Sequence, residues 1–238
     1  MPAPIALILG SGPRIGSSVA ATFAAKGYKV ATASRSGSGN NTPEGILSLT
    51  ADFADPSSIP RIFESVRATF GAAPAVVVYN AYRLTEPAEG AGVLSISADD
   101  FVRDLNVNTV SAYVAAQKAV EGWEALSAEE GVKKTFIYTG NALNTVVAPV
   151  AGWLDLGVGK SASAYWVGAA DALYREKGYR FFYADERLDS GEAKGYEIDG
   201  PAHAEFFAQL ASHEGEVPWL ATFVKDKGYV KFDSSVLG

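Results

Sequence analysis

Cysteine is absent from the 238 residues, which excludes disulfides, thiolate metal sites and a cysteine nucleophile. The only two histidines, His203 and His213, are too few to build a histidine metal centre. Basic charge is in deficit, with 20 Lys and Arg against 27 Asp and Glu, so the electrostatic footprint of a nucleic-acid binder is missing. No apolar run approaches the ~18–20 residues that a bilayer crossing requires. The segment Met1–Leu9 lacks the charged start and cleavage site of a secretory signal, so a soluble, cytoplasmic protein is expected. Repeats, low-complexity stretches and linkers are also missing, and a single domain over residues 1–238 is expected.

What is present is a chain 48% hydrophobic and 20% charged, the balance of a packed globular protein. Short apolar runs alternate with longer helical patterns, which predicts βαβ units and a parallel sheet. Strands are expected at 5–9, 29–34, 46–49, 75–79, 135–139 and 179–184, with a last strand or hairpin within 221–232 turning at Lys227–Gly228. Helices are expected from the Gly-rich turn to Lys26, from Ser57 or Ser58 to Phe70, and over 99–125, 159–177 and 201–212. In the fourth of these, Ala162, Tyr165, Trp166, Ala169, Ala170 and Leu173 keep an i, i+3, i+4 rhythm that reads as a buried stripe. Asn108 falls on the apolar stripe of the 99–125 helix, where a polar amide must find partners as a structural bracket or as part of a site. Right-handed crossovers then give an α/β, doubly wound Rossmann fold: a parallel seven-stranded sheet flanked by helices.

The turn Gly10-Ser11-Gly12-Pro13-Arg14-Ile15-Gly16 lies between the first strand and the first helix. Glycines there let the backbone approach a pyrophosphate, and the helix N-terminus offers free N–H groups and positive dipole charge. A tight turn with no ligand is the plainer alternative. The turn resembles the G-x-x-x-G-x-G of the short-chain dehydrogenases/reductases, with Gly10 and Gly16 at the family's separation and Arg14 in place of the middle glycine. Arg14 either crowds a cofactor or reaches one of its phosphates. Ser34-Arg35 ends the second strand where NAD-using relatives carry an acid, so the resemblance implies NADP(H), with Arg35 on the 2′-phosphate. Asp52-Phe53 resembles the family's adenine-contacting motif, and Asn80-Ala81 its Asn-Asn-Ala-Gly. Asn108 matches the helix asparagine that the family uses to hold a water in its proton relay.

The resemblance breaks at the chemistry. Carbonyl-reducing members use Ser, Tyr and Lys, with Tyr four residues before Lys. Lys160 is the natural lysine, yet Leu156 stands four residues earlier, and Gly140 or Asn141 falls where the serine is expected. This implies an atypical member whose proton comes from elsewhere. Tyr138, Tyr82, Asn141, Asn144 and Asp155 are the candidates, and Tyr138-Thr-Gly resembles the Tyr-Leu-Gly of the superfamily's enoyl reductases. The expected catalytic set is Asn108, Tyr138, Asn141 and Lys160, acting in hydride transfer from NADPH to a carbonyl, imine or activated alkene of a small molecule. The alternatives are an NADP(H)-binding sensor without turnover and a non-redox enzyme on the same scaffold.

Other residues divide between site and scaffold. His203 suits acid–base work but equally a hydrogen-bonded helix histidine. Glu186 and Arg187 lie at the ligand-binding edge or form a surface ion pair. Trp153, Trp166 and Trp219 line a pocket or fill the core. The row Ala164, Gly168, Ala172 permits close helix approach, and the family commonly pairs through this helix, so a homo-oligomer (dimer or tetramer) is expected.

Overall fold

The computed structural model describes residues 2–126 and 132–232. One sheet organises them, in the order β3-β2-β1-β4-β5-β6-β7-β8. Its strands are β1 (Ile5–Leu9), β2 (Lys29–Ser34), β3 (Leu47–Thr50), β4 (Val76–Tyr79), β5 (Lys134–Thr139), β6 (Tyr179–Glu186), β7 (Leu220–Val224) and β8 (Gly228–Tyr229). The first seven are parallel; β8 turns back antiparallel on β7, so the expected seven-stranded sheet carries an eighth strand at its edge. Strand order reverses between β1 and β4, the switch point at which open α/β sheets bind ligands.

Alternation along the strands feeds two apolar layers. Leu7, Val77, Phe136 and Phe181 point to one face, under helices α2 (Ser58–Phe70), α4 (Ser111–Ala125) and α5 (Leu154–Tyr174). Ile8, Val78, Ile137 and Phe182 point to the other, under α1 (Ile15–Ala25) and α6 (Gly200–Ser212). Helix α3 (Ala98–Leu105) runs into α4 through one widened, π-type turn at Asn106–Val110. The expected 99–125 helix is therefore interrupted where Asn108 sits.

That interruption has a physical cause in the sheet below. Tyr79, Tyr138 and Tyr183 lie side by side on β4, β5 and β6 in register. Their rings stack at 5.9 and 5.5 Å. Each hydroxyl donates to a main-chain carbonyl: Tyr79 to Val107 (2.6 Å), Tyr138 to Asn108 (2.6 Å) and Tyr183 to Asn141 (2.8 Å). A π-type turn weakens the regular helix ladder, and here the carbonyls at 107 and 108 take tyrosine donors from the sheet.

Two expectations are corrected on α5. The helix begins at Leu154 rather than 159, so Lys160 lies in its second turn. The rhythmic residues Tyr165 and Leu173 are 82% and 79% exposed, and the inward face is Leu156, Lys160, Ser163, Ala164, Val167 and Asp171. The helix is apolar on two sides, so periodicity pointed to the wrong one. Small and polar residues turn inward because they bond to buried groups: Ser163 donates to the Asn108 carbonyl, and Asp171 accepts from Arg180 and the Phe181 amide. In the small-residue row, Ala164 is buried and a Cβ on Gly168 would lie 2.9 Å from Trp219, so these two pack inward, while Ala172 is exposed.

Candidate active site

A cavity of about 330 Å³ opens at the carboxyl ends of the strands. One wall is Gly12–Ile15 and Asn80; the far wall is Lys160, Asp185, Glu186 and His203; Leu143, Leu156, Trp153 and Ile198 give it an apolar flank. The switch point thus joins the Gly-rich turn and the lysine of α5 in one space.

The first wall is held by main chain. Gly10 adopts φ +100°, and a Cβ there would lie 2.4 Å from the Ala81 amide; a Cβ on Gly16 would lie 2.4 Å from the Gly10 carbonyl. Only glycine fits either approach. Asn80 donates its side-chain amide to the Gly10 carbonyl (2.8 Å), tying β4 to the turn. At Gly12, by contrast, an added Cβ would meet nothing within 4 Å, so the front of the turn is open at the N-terminus of α1. Arg14 reaches across the mouth and donates to the Tyr196 carbonyl (3.2 Å), while the Trp153 indole donates to the Tyr196 hydroxyl (3.3 Å). The residues 193–198 are so held over the cavity.

Away from the cavity, Ser34 and Ser36 bring their hydroxyls within 3.3 Å beside exposed Arg35, which forms no ion pair among the described residues. Asp52 caps its own turn by accepting from the Ala54 amide (3.0 Å), and the Phe53 ring turns into the core against Tyr79. These residues fit a dinucleotide: an open helix N-terminus, a guanidinium beyond β2 that is unpaired among the described residues, and a lysine at the far end.

The second wall consists of buried side chains. Lys160 donates to the Thr139 carbonyl (2.7 Å) and stands 4.6 Å from the centre of the Tyr138 ring. Burial lowers its pKa to about 7, against the opposing pull of Asp185. Asp185 accepts from Arg187 Nε (2.6 Å), and burial raises its carboxyl to about 6 despite that guanidinium. Arg187, also bonded to the Gly191 carbonyl, is fully buried, so the expected surface pair of Glu186 and Arg187 is corrected to a buried Asp185–Arg187 pair. Glu186 accepts from the Asp199 amide, and its other oxygen, Oε1, has no hydrogen-bond partner. His203 is buried beside it with Nδ1 2.8 Å from the Asp199 carbonyl, and burial lowers its pKa to about 4. It is neutral at pH 7, with its Nδ1 proton spent on that carbonyl.

Of the expected catalytic residues, the cavity brings Lys160 and Asn141 together and leaves out Asn108 and Tyr138. Tyr138 is corrected as a proton donor: it is fully buried, its hydroxyl is donated to Asn108, and burial pushes its pKa well up. Asn108 is a bracket. Its side chain accepts from the Arg83 amide (2.9 Å) and donates to the Arg83 carbonyl (2.6 Å), and its own carbonyl is taken by Tyr138 and Ser163. With two donors on that carbonyl, it has no lone pair left for a relay water. Asp155 is likewise structural, bonded to the Thr85 and Leu156 amides.

A protein of Cryptosporiopsis sp. (strain 8999), the short chain dehydrogenase/reductase dmxR12, is 42% identical over 243 residues, covering 98% of this chain and 96% of its own. The chain belongs to the short-chain dehydrogenase/reductase family. No family model matches it. Among solved structures, an NADH-dependent reductase A1-R′ responsible for alginate metabolism superposes with a TM-score of 0.77 at 16% identity, covering 94% of this chain and 97% of that one. A metagenomic short-chain oxidoreductase in complex with NADP gives 0.74 at 14% identity over the same shares. Both attest the fold alone.

Of the two positions at which the family's serine is expected, Gly140 is physically closed, whereas Asn141 lines the cavity. A Cβ on Gly140 would lie 2.1 Å from the Tyr183 ring, so that ring occupies the space a serine would need. Asp185 was missed because the sixth strand was ended at Ala184, whereas it runs to Glu186. Charged residues closing an otherwise apolar run were the available signal, since a buried charge at a strand's carboxyl end needs a reason.

Proposed function

We propose that this protein is an NADP(H)-dependent oxidoreductase, an atypical short-chain reductase acting on a carbonyl, imine or activated alkene of a small molecule. The observation that carries the reading is the single cavity joining the open N-terminus of α1 to buried Lys160. When bound, the reduced dinucleotide supplies a hydride to an electrophilic carbon. Gly12 and the first amides of α1 would receive its pyrophosphate, Arg35 with Ser34 its 2′-phosphate, and Lys160 the ribose next to the nicotinamide. The apolar flank of Leu143, Leu156 and Trp153 would exclude water from the reacting carbon.

Calorimetric titration with NADPH and with NADH tests this: tight NADPH binding with weak NADH binding is expected, and no binding of either overturns it. One observation favours a second reading, binding without turnover: Leu156, which has no proton to give, stands four residues before Lys160, and a Cβ on Gly140 would meet the Tyr183 ring. Consumption of NADPH with any reducible compound rules that reading out. We also propose a homodimer through the outward face of α5, where Tyr165 and Leu173 stand exposed. Sedimentation of Tyr165→Lys as a smaller species than the parent supports it; a monomeric parent overturns it.

A further inference from the structure

Without the family's tyrosine, the cavity still needs a proton source, and few groups within it hold a transferable proton. The hydroxyls of Tyr138 and Tyr183 are spent on carbonyls beneath the sheet edge. The His203 Nδ1 proton is held by the Asp199 carbonyl. Tyr82 and Tyr196 are 59% and 71% exposed at the rim, where solvent competes for their protons. Lys160 differs. Its Nζ is anchored by a single bond to the Thr139 carbonyl, which leaves two N–H bonds unspent among the described residues in a buried position lining the cavity. Across the same floor, Asp185 gives one oxygen to Arg187 and keeps Oδ1 without a donor among the described residues; it forms no direct ion pair with Lys160. Carboxylate and ammonium therefore interact through a gap and are not closed onto each other.

We propose that the Lys160 ammonium is itself the proton donor of the reduction, and that Asp185 is the positioning residue that keeps it charged. This rests on the oxidoreductase reading. The electrophilic carbonyl carbon gains the hydride from the bound dihydronicotinamide, which is oxidised; the C=O π pair moves to oxygen. That oxygen takes the proton of one Nζ–H bond, whose electron pair stays on nitrogen. Water at the cavity mouth then returns the proton to the amine, so the cycle balances.

A pKa of about 7 suits this role, because a general acid works best near the working pH. Around the lysine, Tyr138 lies on β5, Asp185, Glu186 and Arg187 on β6, His203 on α6, and Lys194 across the cavity. Arg187 offsets part of the Asp185 charge, and His203 is neutral above about pH 4.

The test uses full-length protein, NADPH and 4-nitrobenzaldehyde as a generic activated carbonyl. Lys160→Arg keeps the positive charge and donor but holds its proton at every accessible pH. It should bind NADPH within about threefold of the parent yet turn over roughly 100-fold slower, a loss typical of removing a general acid. In the parent, the ¹³Cε signal of Lys160 should titrate near pH 7, and turnover should fall as pH rises through the same value. Asp185→Asn should retain NADPH binding while both midpoints move down by about one unit. Tyr82→Phe and Tyr196→Phe should keep their turnover.

A Lys160 signal that titrates above pH 9, a Lys160→Arg protein as fast as the parent, or a large loss in either tyrosine variant overturns the proposal while leaving the oxidoreductase reading intact. NADPH that binds the parent and is never consumed overturns the reading itself.

Discussion

Around Gly10 the cavity wall is main chain held by main chain; around Lys160 it is buried side chains whose charges are set against one another. The Gly10 amide donates to the Ala33 carbonyl, the Asn80 amide donates to the Leu9 carbonyl, and Gly16 sits on the Gly10 carbonyl, so three strands and one helix meet through their main chains, with the Asn80 side chain as one further tie. Well over a hundred residues after Gly10 in the chain, Lys160 and Asp185 arrive from different elements and depend on Thr139 and Arg187 for their states. A wall made of backbone recognises what every dinucleotide shares, namely its phosphates. A wall made of buried charge can be retuned one residue at a time without disturbing the sheet. That difference sets the two walls apart: one is fixed by backbone approach at Gly10 and Gly16, the other by side chains that meet only in the fold.

The largest effect should come from breaking the backbone wall. Gly10→Ala forces an L side chain to φ +100° and against the Ala81 amide, which is main chain and cannot rotate away. We expect a loss of about 3 kcal/mol or more in urea unfolding, together with loss of NADPH binding. A Gly10→Ala protein of parental stability that still binds NADPH would show the wall to be far more pliable than its geometry.

A second prediction sets two groups of the buried wall against each other by pH. The His203 imidazole titrates near 6.5 when unfolded and near 4 when folded, so between those values the unfolded chain binds the extra proton and acid favours unfolding. Asp185 acts in the opposite sense: its folded value of about 6 lies above the ordinary 3.8, so acid favours its folded state over that range. His203→Gln removes only the first contribution. It should cost stability at pH 7, where Phe207 and Phe223 lose their edge-on ring partner, and the deficit should shrink by up to about 3 kcal/mol by pH 4. Parallel stability–pH curves for parent and variant would mean that the imidazole is not neutral in the fold.

How much of this was legible in the sequence follows the same division. Glycine spacing is a direct record of backbone approach, so Gly10, Gly16 and the strand before them could be read in order, and with them the doubly wound sheet. Lys160 could be placed by its helix. The Asp185–Arg187 pair could not, because Ala-Asp-Glu-Arg places charges at the end of an apolar run without saying which of them pair inside the fold. The tyrosine ladder was hidden for a related reason. Tyr138 reads as a free phenol until the β5 register sets it under the Asn108 carbonyl, a contact thirty residues away in sequence. The α5 stripe misled because that helix has an apolar outer face as well as an inner one. Convergence between elements leaves no local pattern for periodicity to detect.

A third, smaller effect concerns the far end of the first wall. Arg35 stands exposed beside Ser34 and Ser36, outside the cavity proper. Arg35→Ala should weaken NADPH binding by roughly tenfold, about 1.4 kcal/mol, the scale of a lost charge-assisted hydrogen bond in solvent, and leave NADH binding as it was. Equal losses for both dinucleotides would assign Arg35 to the general electrostatics of the wall and remove it from 2′-phosphate selection.

The smallest effect is expected at Tyr138, and it decides whether the second wall extends beneath the sheet edge. Tyr138→Phe deletes one hydroxyl. The Asn108 carbonyl that received it still accepts from Ser163 (3.0 Å), so no buried acceptor is left bare. The ring stays stacked between Tyr79 and Tyr183, and the Lys160 ammonium keeps its aromatic face. One neutral hydrogen bond is therefore lost, about 1 kcal/mol in chemical unfolding, with NADPH binding and turnover of a carbonyl substrate within twofold of the parent. A tenfold or greater fall in turnover at unchanged NADPH affinity would mean that the buried phenol still passes its proton upward. The second wall would then keep the family's tyrosine chemistry in a new place, with Lys160 as its relay and not its source.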